Sequence, residues 1–178
     1  MGGRPVSTQT AGTTTTGTTT TDLPDEVVTR ALVRTVDLPF GAGAAALVTL
    51  DNGLDHTRPS TFGPGGLASL SAALDDVAGQ AERHEITAVL LTGKPFVLAV
   101  GADLSGVSQA REREQALTIS REGHRVFRRL GELPVPSFAL VNGAAMGGGL
   151  EVALHCTYRT VSSGAAAVSL PECFLGLV

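Results

Sequence analysis

Three consecutive glycines, Gly147, Gly148 and Gly149, separate an apolar segment from a short segment of helical character, and a carboxylate follows at Glu151. Glycine is less favourable than alanine inside a helix by about 1 kcal/mol, so three of them at a helix start need a reason. Without Cβ atoms, backbone N–H groups at a helix N-terminus can approach a ligand atom that carries negative charge. A backbone donor beside a carboxylate predicts chemistry on a carbonyl group.

A second possible donor follows another apolar segment, at Gly101 and Ala102. In α/β proteins the turns after parallel strands are where ligands bind, so both glycine turns are expected to lie at one edge of a sheet. Two N–H groups that converge on one oxygen form an oxyanion hole. Proton transfer additionally needs acid–base groups, and Glu151 and Glu172 are the candidates.

The elements that must position these residues alternate between strands and helices, which predicts an α/β fold with crossover connections. Asp103 is expected to cap the helix that follows it, and Asn142 with Gly143 is expected to form a turn. The predicted strands cover residues 27–36, 44–50, 86–92, 96–100, 136–141, 157–161 and 166–168, and the predicted helices cover 64–83, 110–131 and 150–154.

The composition of the chain limits the classes of protein to which it can belong. The 178 residues, 43% hydrophobic, are enough for one domain with a sizeable core. Residues 1–22 are rich in Thr and Gly and are predicted to be a disordered tail, which leaves residues 23–178 as the domain. The net charge of −4 without a basic cluster disfavours nucleic acid as a partner.

Several other classes of site and location are disfavoured by residue types and spacing. Cys156 and Cys173 lack metal-ligand spacing and are interpreted as core residues, and the four histidines show no spacing typical of a metal site or a triad. No apolar run reaches the length of about 18 residues that a membrane span needs, and no signal peptide is visible. We therefore expect a cytoplasmic protein without a metal site.

Three segments, residues 96–104, 141–151 and 169–172, resemble in order and spacing the signature blocks of the crotonase (enoyl-CoA hydratase/isomerase) superfamily. The resemblance covers roughly residues 30–178 and is strongest to the hydratase domains of multifunctional fatty-acid oxidation enzymes. It implies a crotonase-like (ClpP/crotonase) ββα spiral core. That core is expected to be incomplete at its C-terminal end, because related sequences continue beyond position 178 with helices that close the acyl pocket and form trimer contacts.

The resemblance also implies roles by position. Ala102 and Gly148 would donate backbone N–H groups to the thioester oxygen of an acyl-CoA, Glu151 would help to activate a water, and Glu172 would deliver a proton to Cα. The substrate would be bordered by Val100, Gly101, Asp103 and Gly147 and by the loop at residues 55–61, where His56 could contact the CoA phosphates. No cofactor is implied, since coenzyme A is part of the substrate, and the full-length protein would form a trimer-based homo-oligomer.

The resemblance therefore implies an enoyl-CoA hydratase, a hydro-lyase of fatty-acid β-oxidation. Two features of the sequence bear on this implication. Position 100 is Val where the family commonly has Ala or Ser, which is expected to reshape the CoA adenine pocket. No Gly-x-Gly-x-x-Gly strand–turn–helix unit is present, so these residues carry no dehydrogenase signal. The alternatives are an enoyl-CoA isomerase, a CoA-thioester hydrolase, a non-catalytic CoA-binding subunit, and the N-terminal part of a multifunctional enzyme with 3-hydroxyacyl-CoA dehydrogenase activity.

Overall fold

A computed structural model describes residues 26–101 and 113–175 of the chain. Within them, two sheets and four helices form an α/β domain. The elements in chain order are β1 (Arg30–Asp37), β2 (Ala44–Asp51), α1 (Pro64–Glu82), β3 (Ala88–Gly93), β4 (Phe96–Val100), α2 (Arg113–Glu132), β5 (Ser137–Val141), β6 (Gly143–Met146), α3 (Gly148–Leu154), β7 (Tyr158–Val161), β8 (Val168–Ser169) and α4 (Glu172–Leu175).

The larger sheet has the strand order β1-β2-β3-β5-β7. Strand β1 pairs antiparallel with β2 to form a hairpin, and the remaining neighbours are parallel. The first strand begins at Arg30 rather than at residue 27. The segment before β1 contacts α1 instead of β2. The Glu26 carboxylate accepts the N–H groups of Gly65 and Gly66 at 3.0 and 3.1 Å and so caps the N-terminus of α1.

The smaller sheet consists of the parallel strands β4, β6 and β8. Strand β6 was not predicted, and the expected turn at Asn142 and Gly143 is wrong. Here the chain passes from β5 of one sheet directly into β6 of the other. The Asn142 side chain holds this passage by donating to the carbonyls of Gly93 and Lys94 at 3.2 and 2.8 Å. A Cβ at Gly143 would overlap the backbone of Phe96, so glycine allows the two strands to meet.

The core lies between the helices and the sheets. The helix predicted over residues 64–83 corresponds to α1, which buries Leu67, Leu70, Leu74 and Val77 at helical spacing. Helix α2 buries Val126, Phe127 and Leu130, but its Leu117 is 41% exposed. The reason is the position of Leu117 more than two turns before the part of α2 whose side chains enter the core.

Two predictions fall on residues outside the described ranges. The disordered tail at residues 1–22 and the helix cap at Asp103 stay predictions. Near the other end, the short helix α4 was not predicted from sequence. It begins at Glu172, directly after Pro171, and is only four residues long, so it has too few residues to show a helical periodicity.

Candidate active site

The smaller sheet places the ends of three distant chain segments side by side. In the ladder of this sheet Val100 pairs with Met146, and Met146 pairs with Ser169. These three residues are the last of β4, β6 and β8, so the three parallel strands end at the same level. The carboxyl ends of parallel strands are the usual location of a ligand site. The three segments singled out from sequence therefore meet at one edge.

Gly101 forms the turn after β4. Its φ of +67° lies in the left-handed region, where glycine is free of the strain that other residues carry. The N–H of Gly101 donates to the carbonyl of Met146 at 2.7 Å, and its own carbonyl accepts from the N–H of Phe62 at 3.1 Å. The residue before it, Val100, donates its N–H to the carbonyl of Ser60 at 2.8 Å. Val100 and Gly101 are thus held by hydrogen bonds to Ser60, Phe62 and Met146.

The three glycines after β6 differ in how much space a Cβ atom would find at each position. Gly147 has φ +52°, and a Cβ there would overlap Oε1 of Glu172. A Cβ at Gly149 would overlap the backbone carbonyl of Ala99, so this glycine lets α3 pack directly on β4. A Cβ at Gly148 would only reach ordinary contact, 3.7 Å from the carbonyl carbon of Gly101. Packing within the described residues therefore explains two of the three glycines and leaves Gly148 available for another purpose.

Gly148 is the first residue of α3, and its N–H has no acceptor inside the helix. None of the described residues accepts a hydrogen bond from it. The position beside Gly101, which directly precedes Ala102 in sequence, is consistent with the predicted pair of donors. Ala102 and Asp103 themselves lie outside the described residues, so their roles stay predictions.

Glu172 reaches the same edge through β8. The carbonyl of Ser169 accepts the N–H of Gly147 at 3.0 Å, which aligns the two segments. Three residues later the Glu172 carboxylate lies against Gly147, with Oε1 in the space that a Cβ would need. Its Oε2 is shielded from solvent and has no hydrogen-bond partner within the described part of the chain. A shielded carboxylate oxygen without a partner is uncommon in folded proteins and indicates an interaction still to be made.

Glu151 is held by α3, one turn after the glycines. Its N–H donates to the carbonyl of Gly147 at 2.9 Å, and its own carbonyl accepts from the N–H and Nδ1 of His155. The side chain is half-buried. The structure thus brings Gly101, Gly147, Gly148 and Glu172 together and places the Glu151 backbone one helical turn away.

Lys94 holds the loop between β2 and α1 in place. From the sequence this loop is expected only as a border of the substrate, and Lys94 is not singled out. The ammonium of this 5% exposed residue donates to Asn52 Oδ1 and to backbone carbonyls of residues 54, 55 and 58. The available signal was its identity as the chain's only lysine, placed directly after the buried strand β3. In the same loop the hydroxyl and N–H of Thr57 donate to Asp55 and lower the pKa of that carboxyl.

Two searches concern other kinds of site. Residues 26–101 and 113–175 contain no group of His, Cys, Asp or Glu that could hold a metal ion. Over the same residues, none of the helices has the length and apolar character needed to cross a bilayer. His56 lies at the loop surface, where its ring contacts the exposed ring of Phe96 edge to face at 5.7 Å.

The fold is shared with solved protein structures. An enoyl-CoA hydratase from Bacillus anthracis superposes with a TM-score of 0.67 at 22% identity, over 82% of this chain and 53% of that one. DspI from Pseudomonas aeruginosa gives a TM-score of 0.67 at 26% identity, over 88% of this chain and 59% of that one. The predicted crotonase-like α/β fold is confirmed.

The family follows from the sequence comparison. The enoyl-CoA hydratase/isomerase family model matches residues 61–178, so the chain belongs to the enoyl-CoA hydratase/isomerase family. The resemblance inferred from the three segments is thereby confirmed. The functions of the individual site residues are separate predictions.

Among the curated relatives are fatty acid oxidation complex subunits alpha. That of Shewanella frigidimarina is 32% identical over 151 residues, and that of Shewanella amazonensis is 35% identical over 148 residues. These alignments cover 83% and 82% of this chain, but the chain spans only 20% of the length of either relative. The similarity therefore concerns one part of those larger proteins.

Proposed function

We propose that the protein is an enoyl-CoA hydratase that adds water across the double bond of a trans-2-enoyl-CoA. The observation that carries this proposal is the meeting of Gly101, Gly148 and Glu172 at the ends of three parallel strands. Membership of the enoyl-CoA hydratase/isomerase family and similarity to fatty acid oxidation complex subunits support it.

In the proposed reaction, the N–H groups of Ala102 and Gly148 bind the thioester oxygen. They stabilise the negative charge that develops there when water attacks Cβ. The loss of one such donor typically costs about 2.7–4 kcal/mol of transition-state stabilisation. The unengaged N–H of Gly148 at the start of α3 supports this role.

The two glutamates divide the proton transfers. Glu151 accepts a proton from the attacking water, whose oxygen forms the new bond to Cβ, and Glu172 gives a proton to Cα. The C=C π electrons thereby become the new Cα–H bond, and the thioester is regenerated. The shielded, unpartnered Oε2 of Glu172 supports this assignment, since a water between the two carboxylates would supply the missing hydrogen bond.

The test is hydration of crotonyl-CoA, followed as loss of the enoyl-thioester absorbance. Glu151→Gln and Glu172→Gln are expected to lower kcat by at least about 100-fold each, since general acid–base catalysis contributes about 10²–10⁴-fold. Glu132→Gln, which changes an exposed carboxylate paired with Arg128, is the matched control and should keep wild-type activity. Turnover by both site variants at the wild-type rate would contradict the proposal.

The same preparations discriminate the alternatives. Conversion of a 3-enoyl-CoA to its 2-enoyl isomer without hydration of crotonyl-CoA would indicate an isomerase, a reaction for which one carboxylate is enough. Release of free CoA thiol would indicate a thioester hydrolase. Tight binding of CoA thioesters without any turnover would indicate a non-catalytic CoA-binding subunit.

A further inference from the structure

Lys94 is a buried cation that is surrounded by neutral oxygen atoms. Its Nζ lies 2.5 Å from Asn52 Oδ1 and 3.1, 2.9 and 2.5 Å from the carbonyl oxygens of Leu54, Asp55 and Arg58. No carboxylate among the described residues forms an ion pair with it. An ammonium removed from water requires such partners, because the loss of hydration is otherwise very unfavourable. Four oxygens around three N–H donors meet that need.

All four oxygens belong to one stretch of chain, residues 52–59, which we call the Lys94 loop. The loop curls around the ammonium, and the Asn52 side chain closes it by donating to the carbonyls of Arg58 and Pro59 at 3.3 and 3.0 Å. The loop contributes no apolar side chain to the buried core. Its shape therefore depends on hydrogen bonds to one charged group more than on packing.

The far end of the Lys94 loop leads directly to the candidate active site. The next residue, Ser60, accepts the N–H of Val100, and Phe62 donates its N–H to Gly101. At the other end, the backbone of Lys94 is bonded to the carbonyl of Leu50 at 3.2 Å and so is anchored where β2 ends. The ammonium is thus a link between the larger sheet and the segment that holds the Gly101 turn.

We propose that Lys94 is a positioning residue for acyl-CoA binding: its buried ammonium holds the Lys94 loop in the conformation that receives the CoA portion of the substrate. This inference rests on the proposed function and on the implication of the family resemblance that residues 55–61, which overlap the Lys94 loop, border the substrate. Lys94 does not touch the reacting atoms in this account. It acts on substrate affinity through the loop, and the chemical step is left to the glutamates and the backbone donors.

The test compares Lys94→Met, which keeps an unbranched side chain and removes the charge, with wild type. Hydrogen exchange of the amides at residues 53–58 should become at least about tenfold faster after correction for the change in β3, whose exchange reports global unfolding. The KM for crotonyl-CoA should rise about tenfold, with kcat within about threefold, because only binding depends on the loop. Arg83→Met, which removes an exposed cation paired with Glu85, is the matched control and should change neither quantity.

A second variant leaves Lys94 in place and opens the loop from the other side. Asn52→Ala should expose the ammonium and speed its acylation by an amine-reactive ester, located by mass mapping of the peptide that contains Lys94. Equal acylation rates in Asn52→Ala and wild type would overturn the inference. Unchanged loop exchange in Lys94→Met would overturn it as well, and so would a fall in kcat at constant KM.

The failure of this inference can be distinguished from that of the proposed function. Hydrogen exchange and acylation need no substrate, so they report on the Lys94 loop alone. A wild-type protein that neither hydrates nor binds crotonyl-CoA would contradict the proposed function, whatever the loop does. A wild-type protein that turns over crotonyl-CoA, together with a Lys94→Met variant of unchanged KM, would contradict only the role of Lys94.

Discussion

Lys94 and Glu172 are two ionisable side chains with atoms shielded from water, and they differ in how those atoms are satisfied. The ammonium of Lys94 has four oxygen partners within 3.1 Å. The Oε2 of Glu172 has none within the described residues, and its Oε1 lies against the Cα of a glycine. Lys94 directly follows β3, and Glu172 begins α4 three residues after the end of β8, so both groups lie shortly after a strand and the contrast does not come from the kind of backbone element before them.

This difference indicates that Lys94 maintains the structure, whereas Glu172 is available for reaction. A buried polar atom with all its hydrogen bonds made contributes rigidity, whereas one left unpaired costs free energy unless it has a task. The comparison therefore predicts different consequences of replacing the two groups. Loss of the ammonium of Lys94 should lower stability, and loss of the carboxyl group of Glu172 should lower activity.

The largest effect is expected for Glu172→Gln. Hydration of crotonyl-CoA should fall by at least about 100-fold, while the free energy of unfolding stays within about 0.5 kcal/mol of wild type, because the amide has the same shape and Oε2 has no hydrogen-bond partner to lose. Activity and urea denaturation are measured on the same preparation. A loss of more than about 1 kcal/mol in stability would show that the carboxylate is a structural partner instead, and would remove the contrast with Lys94.

Lys94→Met should have the next largest effect, and on stability. Removing hydrogen bonds between a charged group and its acceptors typically costs about 1.5–3 kcal/mol, and we expect a decrease of this size in the free energy of unfolding. The exposed pair of Arg83 and Glu85 offers the reference, since water screens this ion pair and Arg83→Met should change stability much less than Lys94→Met. Equal stabilities of the two variants would mean that burial of Lys94 has no energetic consequence.

A smaller effect is expected at the glycines beside Glu172. Gly147→Ala should lower the free energy of unfolding by about 1–2 kcal/mol, because a Cβ is strained at φ +52° and overlaps Glu172. Gly148→Ala should change stability by less than about 1 kcal/mol, since its Cβ would meet Gly101 only at 3.7 Å. Thermal or urea denaturation measures both. The reverse order of the two variants would contradict the described arrangement of Gly147 and Glu172.

The smallest effect concerns Cys156, a buried titratable group that stays neutral. Burial raises the pKa of its thiol from the ordinary 9.0 to about 11, so near neutral pH it adds no charge. Between pH 9 and about 11 the folded state holds a proton that the unfolded state has lost, so stability falls as pH rises through this range. Native Cys156 should therefore react with iodoacetamide about 100-fold more slowly than the unfolded thiol at pH 8.

Cys156→Ala should remove that alkaline decrease in stability, apart from the contributions of other groups. Cys156 sharpens the comparison, because burial is the largest influence on the pKa of its thiol and outweighs the opposing effects of Ser137 and Arg159. Rapid alkylation of native Cys156 would contradict its burial at 3% exposure.

Much of the fold could be predicted from local patterns. The helical spacing of Leu67, Leu70, Leu74 and Val77 predicts helix α1. A nearly continuous apolar run predicts the buried strand β3. Strand β6 and helix α4 were missed because each has only four residues, which are too few to show a periodic pattern of apolar side chains. The start of β1 was misplaced because Glu26 bonds to α1, a contact about 40 residues away in sequence.

The sequence by itself determined the order and residue types of the three segments that meet at the candidate site, including Gly148, Glu151 and Glu172. Only the tertiary structure decided that Val100, Met146 and Ser169 end their strands at one level, that Glu172 lies against Gly147, and that the Lys94 loop closes on an ammonium. The physical reason is that local spacing encodes which face of an element is apolar. Register between strands, and contacts between residues tens of positions apart, depend on how the whole chain packs.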